Sequence, residues 1–175
     1  GIVGAKLYYP DDAIQHAGVI VGLGGYAGHS HKYAKRGGSG YMFRAATVQD
    51  LSAVTAACLL VKAAVYDEAG GLDEGFAVAF NDVDFCLRVR ALGYRVLFTP
   101  DAELYHYESK SRGLDTKGPA RERFEGERRR MKQRYGERLL RDPFYNPNLT
   151  LDREDFSESD ALPKDDPVPG VPARG

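Results

Sequence analysis

The sequence is short of several things, and each shortage narrows the reading. It has two cysteines, Cys58 and Cys86, both within apolar stretches. That usage reads as two reduced, buried thiols of a cytoplasmic protein rather than a disulfide. Charge of one sign is lacking too: 24 Lys and Arg meet 25 Asp and Glu, for a formal net of -1. No global field then favours nucleic acid or an acidic surface as a partner. No hydrophobic run is long; the longest near-continuous one, residues 51–61, is too short to span a bilayer. No stretch reads as a signal peptide, and no internal repeat appears. There is no initiator Met: the chain opens on GIVGAKLYY, an apolar β-type run of the kind found inside a sheet. The expectation is a segment excised from a longer protein. Its 175 residues make one domain of ordinary size, or a piece of a larger one, long enough to bury a sizeable core.

What is present reads as a mixture of strands and helices. Residues 2–9 predict a strand, PDD at 10–12 a turn, and residues 14–21 a second strand antiparallel to the first. Seven glycines in GLGGYAGHSHKYAKRGGSG (22–40) predict a long mobile loop. LSAVTAACLLVK (51–62) predicts a strand with small residues at its middle, and AAVYDEAGG (63–71) a short helix stopped by Gly70 and Gly71. In AFNDVDFCLRVRALGYRVLFTP, Asn81 or Asp82 is expected to cap a helix whose apolar side is Phe85, Leu87, Val89 and Leu92, ending at Gly93. YRVLFTP and AELYHYE follow as extended pieces. A longer helix with Pro119 in its first turn carries Phe124, Met131, Tyr135 and Leu139 on one stripe. From Asp142 the chain reads as irregular, and after Ser157 as an acidic, proline-rich tail, surface-wrapping or disordered.

Several motifs bear on chemistry. In NDVDFCLR, Asp82 and Asp84 suit a helix start by capping and by the helix dipole, and Asp84 can pair with Arg88 four residues on. The same carboxylates could take a proton from a hydroxyl, or hold a divalent metal as a D-x-D string. GLGGYAG has the loose form of a dinucleotide fingerprint, but more loop follows it where that motif needs a helix. His29 and His31 sit on the glycine-rich segment and read as solvated. His106 ends an apolar strand, where a half-buried histidine and a metal or phosphate partner are both open readings. Residues 121–141 hold nine Lys or Arg and four Asp or Glu, interleaved and without a stacking platform. This is a solvated face, with an anionic membrane surface as a lesser reading and nucleic acid disfavoured.

Taken together, SAVTAACLLVKAAVYDEAGGLDEGFAVAFNDVDFCLRVRALGYRVLFTPDAELYHYESKSRG resembles the acceptor-side half of a family 2 glycosyltransferase, of the bacterial O-antigen and rhamnan type. DPFYNPNLTLDREDF (142–156) is similar to the end of the same group. The resemblance implies an α/β chain: a partial GT-A fold, a mixed sheet with flanking helices, whose nucleotide-binding half lies upstream. Residues 1–115 would be the acceptor-side half, 116–141 a basic amphipathic helix and 142–175 an irregular extension. It implies an inverting sugar transfer from a nucleotide-diphosphate donor to a glycan or lipid-linked acceptor, in the cytoplasm or at the inner face of the membrane. By the same resemblance, Asp82 of the pair Asn81-Asp82 is the general base and Asp84 supports it. Thr55, Ala56 and Ala57 let the sugar approach, His106 completes the site of a divalent cation (Mg or Mn), and Arg112 contacts the diphosphate. Residues 22–40 would close over donor or acceptor. With the nucleotide-binding half missing, the chain is expected to be inactive alone, to bind no metal by itself, and to self-associate through an uncovered sheet surface. The rival is a non-catalytic glycan- or protein-binding module. A paired-carboxylate hydrolase would need two acids facing each other across a pocket, which neighbours two apart do not supply.

Overall fold

The computed structural model describes residues 1–107 and 118–160. Its centre is a five-stranded mixed sheet built on β1 (Ile2–Tyr8). Two strands share one edge of β1, both antiparallel: β2 (Ile14–His16) pairs its C-terminal part and β6 (Leu59–Val61) its N-terminal part. On the other edge lies β7 (Val96–Tyr105), parallel to β1, with β5 (Gln49–Asp50) beyond it. A second, two-stranded sheet joins β3 (Val19–Val21) to β4 (Ala27–His29). The helices are α1 (Ala63–Glu68), α2 (Asn81–Ala91) and α3 (Gly118–Tyr135). Six strands, then α1 and α2, then β7 and α3, make a mixed α/β arrangement, the class expected from the sequence.

The core lies between the sheet and α2 and α3. Tyr8, Ile14, Val54, Phe76, Phe85, Val89, Val96, Phe98 and Met131 are all buried there. On α2 the buried apolar side chains are Val83, Phe85, Cys86 and Val89, whereas Leu92 is 44% exposed and Leu87 half-buried. Phe85, Leu87 and Val89 follow one another at spacings of two, and residues two apart on a helix sit about 200° apart, so Leu87 leaves the face that Phe85 and Val89 share. On α3 and the 3-10 turn after it, the stripe Met131, Tyr135 and Leu139 is buried, with Phe124 half-buried.

Three segments differ from the sequence expectations. Residues 14–21 are two strands, because Gly18 takes φ 101° and turns the chain from the large sheet into the small one. The segment 22–40 is packed rather than an open loop. Its 27–29 stretch is β4, Ser30 and His31 are buried, and Arg36 reaches Asp12 (2.9 Å) and Glu103 (3.0 Å) between the rings of Tyr8 and Tyr105. Left-handed glycines at 22, 24 and 25 make the reversal that brings β4 back onto β3. Residues 51–62 are a strand only at Leu59–Val61. Before that, the chain crosses beneath β1, where Gly4 is so close that an added Cβ would lie 2.5 Å from that of Val54. It then turns at 56–57.

YRVLFTP and the extended piece after it are one strand with an irregularity: Gly4 pairs with Phe98 but Lys6 with Glu103. Pro100, which has no N–H for the ladder, falls in the displaced part. Residues 142–160 are irregular but packed. Tyr145 and Leu149 join Ile20 and Leu23 in a second apolar cluster, with Phe156 against it. The carboxylate of Asp142 takes the Val21 N–H (2.8 Å), the Ser52 hydroxyl (2.7 Å) and the Phe144 N–H (2.9 Å). The tail beyond residue 160 lies outside the described residues.

Candidate active site

The start of α2 carries Asn81 and Asp82, and it is not capped by a side chain. Phe80 occupies the cap position in the left-handed region, φ 63° and ψ 4°. Neither Asn81 nor Asp82 therefore plays the capping part expected of them. A left-handed aromatic residue is rare and strained, and such strain persists only where its surroundings impose it. Here Phe80 packs between Tyr26 and Phe124. The loop before it is held by Glu127 of α3, whose buried carboxylate accepts the N–H groups of Val78 (2.9 Å) and Ala79 (3.0 Å).

This start aims Asp82 at the turn of small residues. Asp82 Oδ2 accepts the Ala56 N–H at 3.1 Å and Oδ1 the Val83 N–H at 2.8 Å. Asp82 is half-buried, and Ala56 and Ala57 are exposed, so one face of the carboxylate is fixed and the other is open. Thr55, buried, turns its hydroxyl to the Ala57 N–H (3.3 Å) and its own N–H to His16 Nε2 (3.4 Å). One helix turn on, the thiol of Cys86 points at the Val54 carbonyl (3.6 Å), and burial pushes it up to about 12, well out of the reactive range. Asp82, Thr55, Ala56 and Ala57 are thus one constellation.

Asp84 is placed differently. Its carboxylate is wholly buried and receives Arg88 Nε (2.9 Å), Arg134 Nη1 (2.6 Å) and the Tyr135 hydroxyl (2.7 Å). Burial, then the hydrogen bond to Asp84, raises the Tyr135 phenol above its ordinary range, so it stays a proton donor. Arg134 also reaches Asp73 (2.6 Å). Asp84 therefore acts on how α2 sits against α3.

His106 follows β7, where its N–H donates to the Tyr8 carbonyl at 2.9 Å and its ring Nδ1 lies 2.8 Å from Gln15 Oε1. An amide oxygen only accepts, so Nδ1 carries a proton. Asp82 and His106 share no hydrogen bond. The route between them passes through His16 and Gln15, neighbours on β2 whose side chains leave opposite faces of the strand. Among the described residues no three of His, Cys, Asp and Glu are grouped to hold a metal ion. Among the described residues, Asp82 and His106 therefore supply too few grouped ligands for a divalent cation. Arg112 lies outside the described residues.

Sequence reading missed three residues that build this site. Glu127 was counted among solvated acids, yet it falls on the apolar stripe, three residues after Phe124 and four before Met131. An acid at a core position was the available signal. His16 and His29 were the other two. His16, wholly buried at the end of β2, has its Nδ1 2.9 Å from that of His29, and burial holds its pKa well below the ordinary value. His29 and His31 do not lie on an open loop: His29 is half-buried against His16, and His31 is buried under Phe156.

Comparison with known proteins adds the following. The chain is 54% identical over 157 residues to the uncharacterized protein y4gI of Sinorhizobium fredii, covering 89% of this chain and 17% of the relative. It is 37% identical over 158 residues to the O-antigen biosynthesis protein RfbC of Myxococcus xanthus, covering 89% of this chain and 12% of the relative. It is 32% identical over 62 residues to an N-acetylglucosaminyl-diphospho-decaprenol L-rhamnosyltransferase of Mycobacterium tuberculosis, covering 35% of this chain and 20% of that protein. No family model matches the chain, and no solved structure does. The chain thus spans 12% to 20% of the length of these curated relatives. It is similar along most of its length to a protein named for O-antigen biosynthesis, and along 35% of it to a named rhamnosyltransferase.

Proposed function

We propose that this chain is the acceptor-side part of an inverting glycosyltransferase of the family 2, GT-A type, with Asp82 as its general base. The observation that carries the reading is the setting of Asp82. Two backbone N–H groups hold its carboxylate at a helix start, beside an exposed turn of small residues. Each carboxylate oxygen keeps a lone pair beyond the one its N–H occupies. An acceptor hydroxyl resting on Ala56 and Ala57 meets that free lone pair. As its oxygen bonds to the anomeric carbon of the donor, Asp82 takes the proton, and the bond to the diphosphate breaks with its electron pair leaving on phosphate. A carboxylate is a far weaker base than the alkoxide it helps to form, so position matters more than basicity. Fixing by backbone groups supplies that position.

The donor class, a nucleotide-diphosphate sugar, and the acceptor class, a cell-surface polysaccharide or a lipid-linked precursor, rest on the sequence resemblance and on the names of the relatives. The diphospho-decaprenol in one of those names supports a lipid-linked acceptor. Among the described residues no helix is long and apolar enough to cross a membrane. The arginine-rich face of α3 suits peripheral contact with its cytoplasmic side. A second reading, a glycan- or protein-binding module, is favoured by one observation: the β2 neighbours His16, on the side of the Asp82 turn, and Gln15, which holds His106, leave the strand by opposite faces.

Calorimetric titration with nucleotide-diphosphate sugars and manganese, on these 175 residues alone and joined to a nucleotide-binding half, separates the two readings. The expected result is binding by the joined form only, with Asp82→Asn lowering transfer about 10²–10⁴-fold and leaving binding unchanged. Transfer that survives Asp82→Asn would sink the base assignment.

A further inference from the structure

We propose that His16 and His29 are a tautomer-locked pair that positions the Thr55–Ala57 turn and, through it, Asp82. His16 is in this sense a positioning residue, and only its link to catalysis rests on the transferase reading above.

The argument starts from a donor that cannot change roles. The Thr55 N–H points at His16 Nε2, at 3.4 Å, and a backbone N–H only donates. Nε2 therefore carries a lone pair. His16 is 0% exposed, and a charged ring there would lie unsolvated. The ring is neutral, and its proton is on Nδ1. That atom faces His29 Nδ1 at 2.9 Å, so His29 Nδ1 accepts, and the neutral His29 ring is protonated at Nε2. The rings meet edge to face, 82° between planes, which suits one N–H directed at one lone pair. Among the described residues no third His, Cys, Asp or Glu joins the pair to hold a metal. The short contact is thus a hydrogen bond with a fixed direction.

Its consequence lies in the turn. Three successive amides there are satisfied by side chains rather than by a backbone ladder: Thr55 by His16, Ala56 by Asp82 and Ala57 by Thr55 Oγ1. Thr55 is 8% exposed, so an apolar residue at 16 would leave its N–H buried without a partner. The neighbouring Ala56 N–H, which holds Asp82, would then be free to move with the backbone. His29 belongs to β4, so the glycine-rich segment reaches Asp82 through this pair. This gives the 22–40 segment a physical connection to the start of α2.

Long-range ¹H–¹⁵N spectra of the histidine-labelled chain test the pair directly. The expected result is His16 protonated at Nδ1 and His29 at Nε2. Amide hydrogen exchange supplies the second measurement. His16→Leu should speed exchange at Thr55 and Ala56 by about tenfold relative to the amides of β1. His16→Gln, whose oxygen can stand where Nε2 accepts, should restore the parent rates. His16 protonated at Nε2, or a Gln variant exchanging as fast as the Leu variant, overturns the proposal. If the Leu variant fails to fold, the spectra of the unaltered chain still decide. Either failure leaves the transferase reading intact, whereas transfer surviving Asp82→Asn overturns that reading and leaves the tautomer map standing.

Discussion

His31 shows what burial does to a single side chain. The Tyr41 N–H donates to its Nε2 (3.1 Å), and its Nδ1 faces Ser30 Oγ (2.5 Å). By the argument used for His16, the ring is neutral with its proton on Nδ1. Burial first, then the charges of Arg44 and Lys6, lower its pKa to about 4 from an ordinary 6.5. The unfolded chain binds the extra proton between these two values. Stability is therefore present in full above pH 6.5, drains as pH falls, and is lost below about 4. The amount is on the order of 3 kcal/mol, and His16, also held low, acts in the same direction. Urea midpoints should thus be level above pH 6.5 and fall below it, with a shallower fall in His31→Gln. Gly4 gives a second test at this scale. A methyl there would meet Val54 at 2.5 Å, so Gly4→Ala should cost about 1–3 kcal/mol. The clash is with the Val54 Cβ, so the two costs should be less than additive in Gly4→Ala with Val54→Gly, which removes that atom, read as a double-mutant cycle in urea. At this scale Asp82 and Thr55–Ala57 could be chosen from the sequence, but through resemblance. That His16 braces them could not, because a partner 39 residues away leaves no local pattern.

The decisive contact between elements is that of α2 with α3. Asp84 on one receives Arg134 and Tyr135 from the other, and Arg88 from its own next turn. The Asp84–Arg88 pair was legible from four-residue spacing; the interhelical pair was not, since nothing local ties residue 84 to residue 134. Removing one side leaves two guanidinium groups facing a buried gap. Asp84→Ala is expected to lower stability by about 3–5 kcal/mol in urea unfolding. A loss under 1 kcal/mol would mean that the pair behaves as a surface bridge. The helices themselves were legible from glycine stops and from the buried stripe. Residues 51–58 were misread because an apolar, β-branched run suits a buried crossing as well as a strand. Which it becomes depends on whether a neighbour offers a ladder.

At the scale of the molecule, an apolar row is uncovered among the described residues. Val3 pairs with Leu60 on one side and Leu97 on the other; Leu60 is 74% exposed and Val3 37%. A row of this kind, crossing three strands, favours association. Light scattering at micromolar concentration is expected to show dimers or larger species, and Leu60→Glu to return the monomer. A strictly monomeric parent chain would remove this surface as a contact.

The sequence by itself determined the mixed α/β class and the places of β1, α1, α2 and α3. Local spacing carries those, since period, turn chemistry and helix stops are read within a few residues. Only the tertiary structure decided that Asp84 is buried between two helices, that Glu127 holds the loop before α2, and that the glycine-rich segment folds back as β4. Only it placed His16 and His29 against the turn that holds Asp82. Each of these depends on polar groups far apart in the chain satisfying one another in a dry interior. Such pairings are set by packing and leave no periodic trace in the order of the residues.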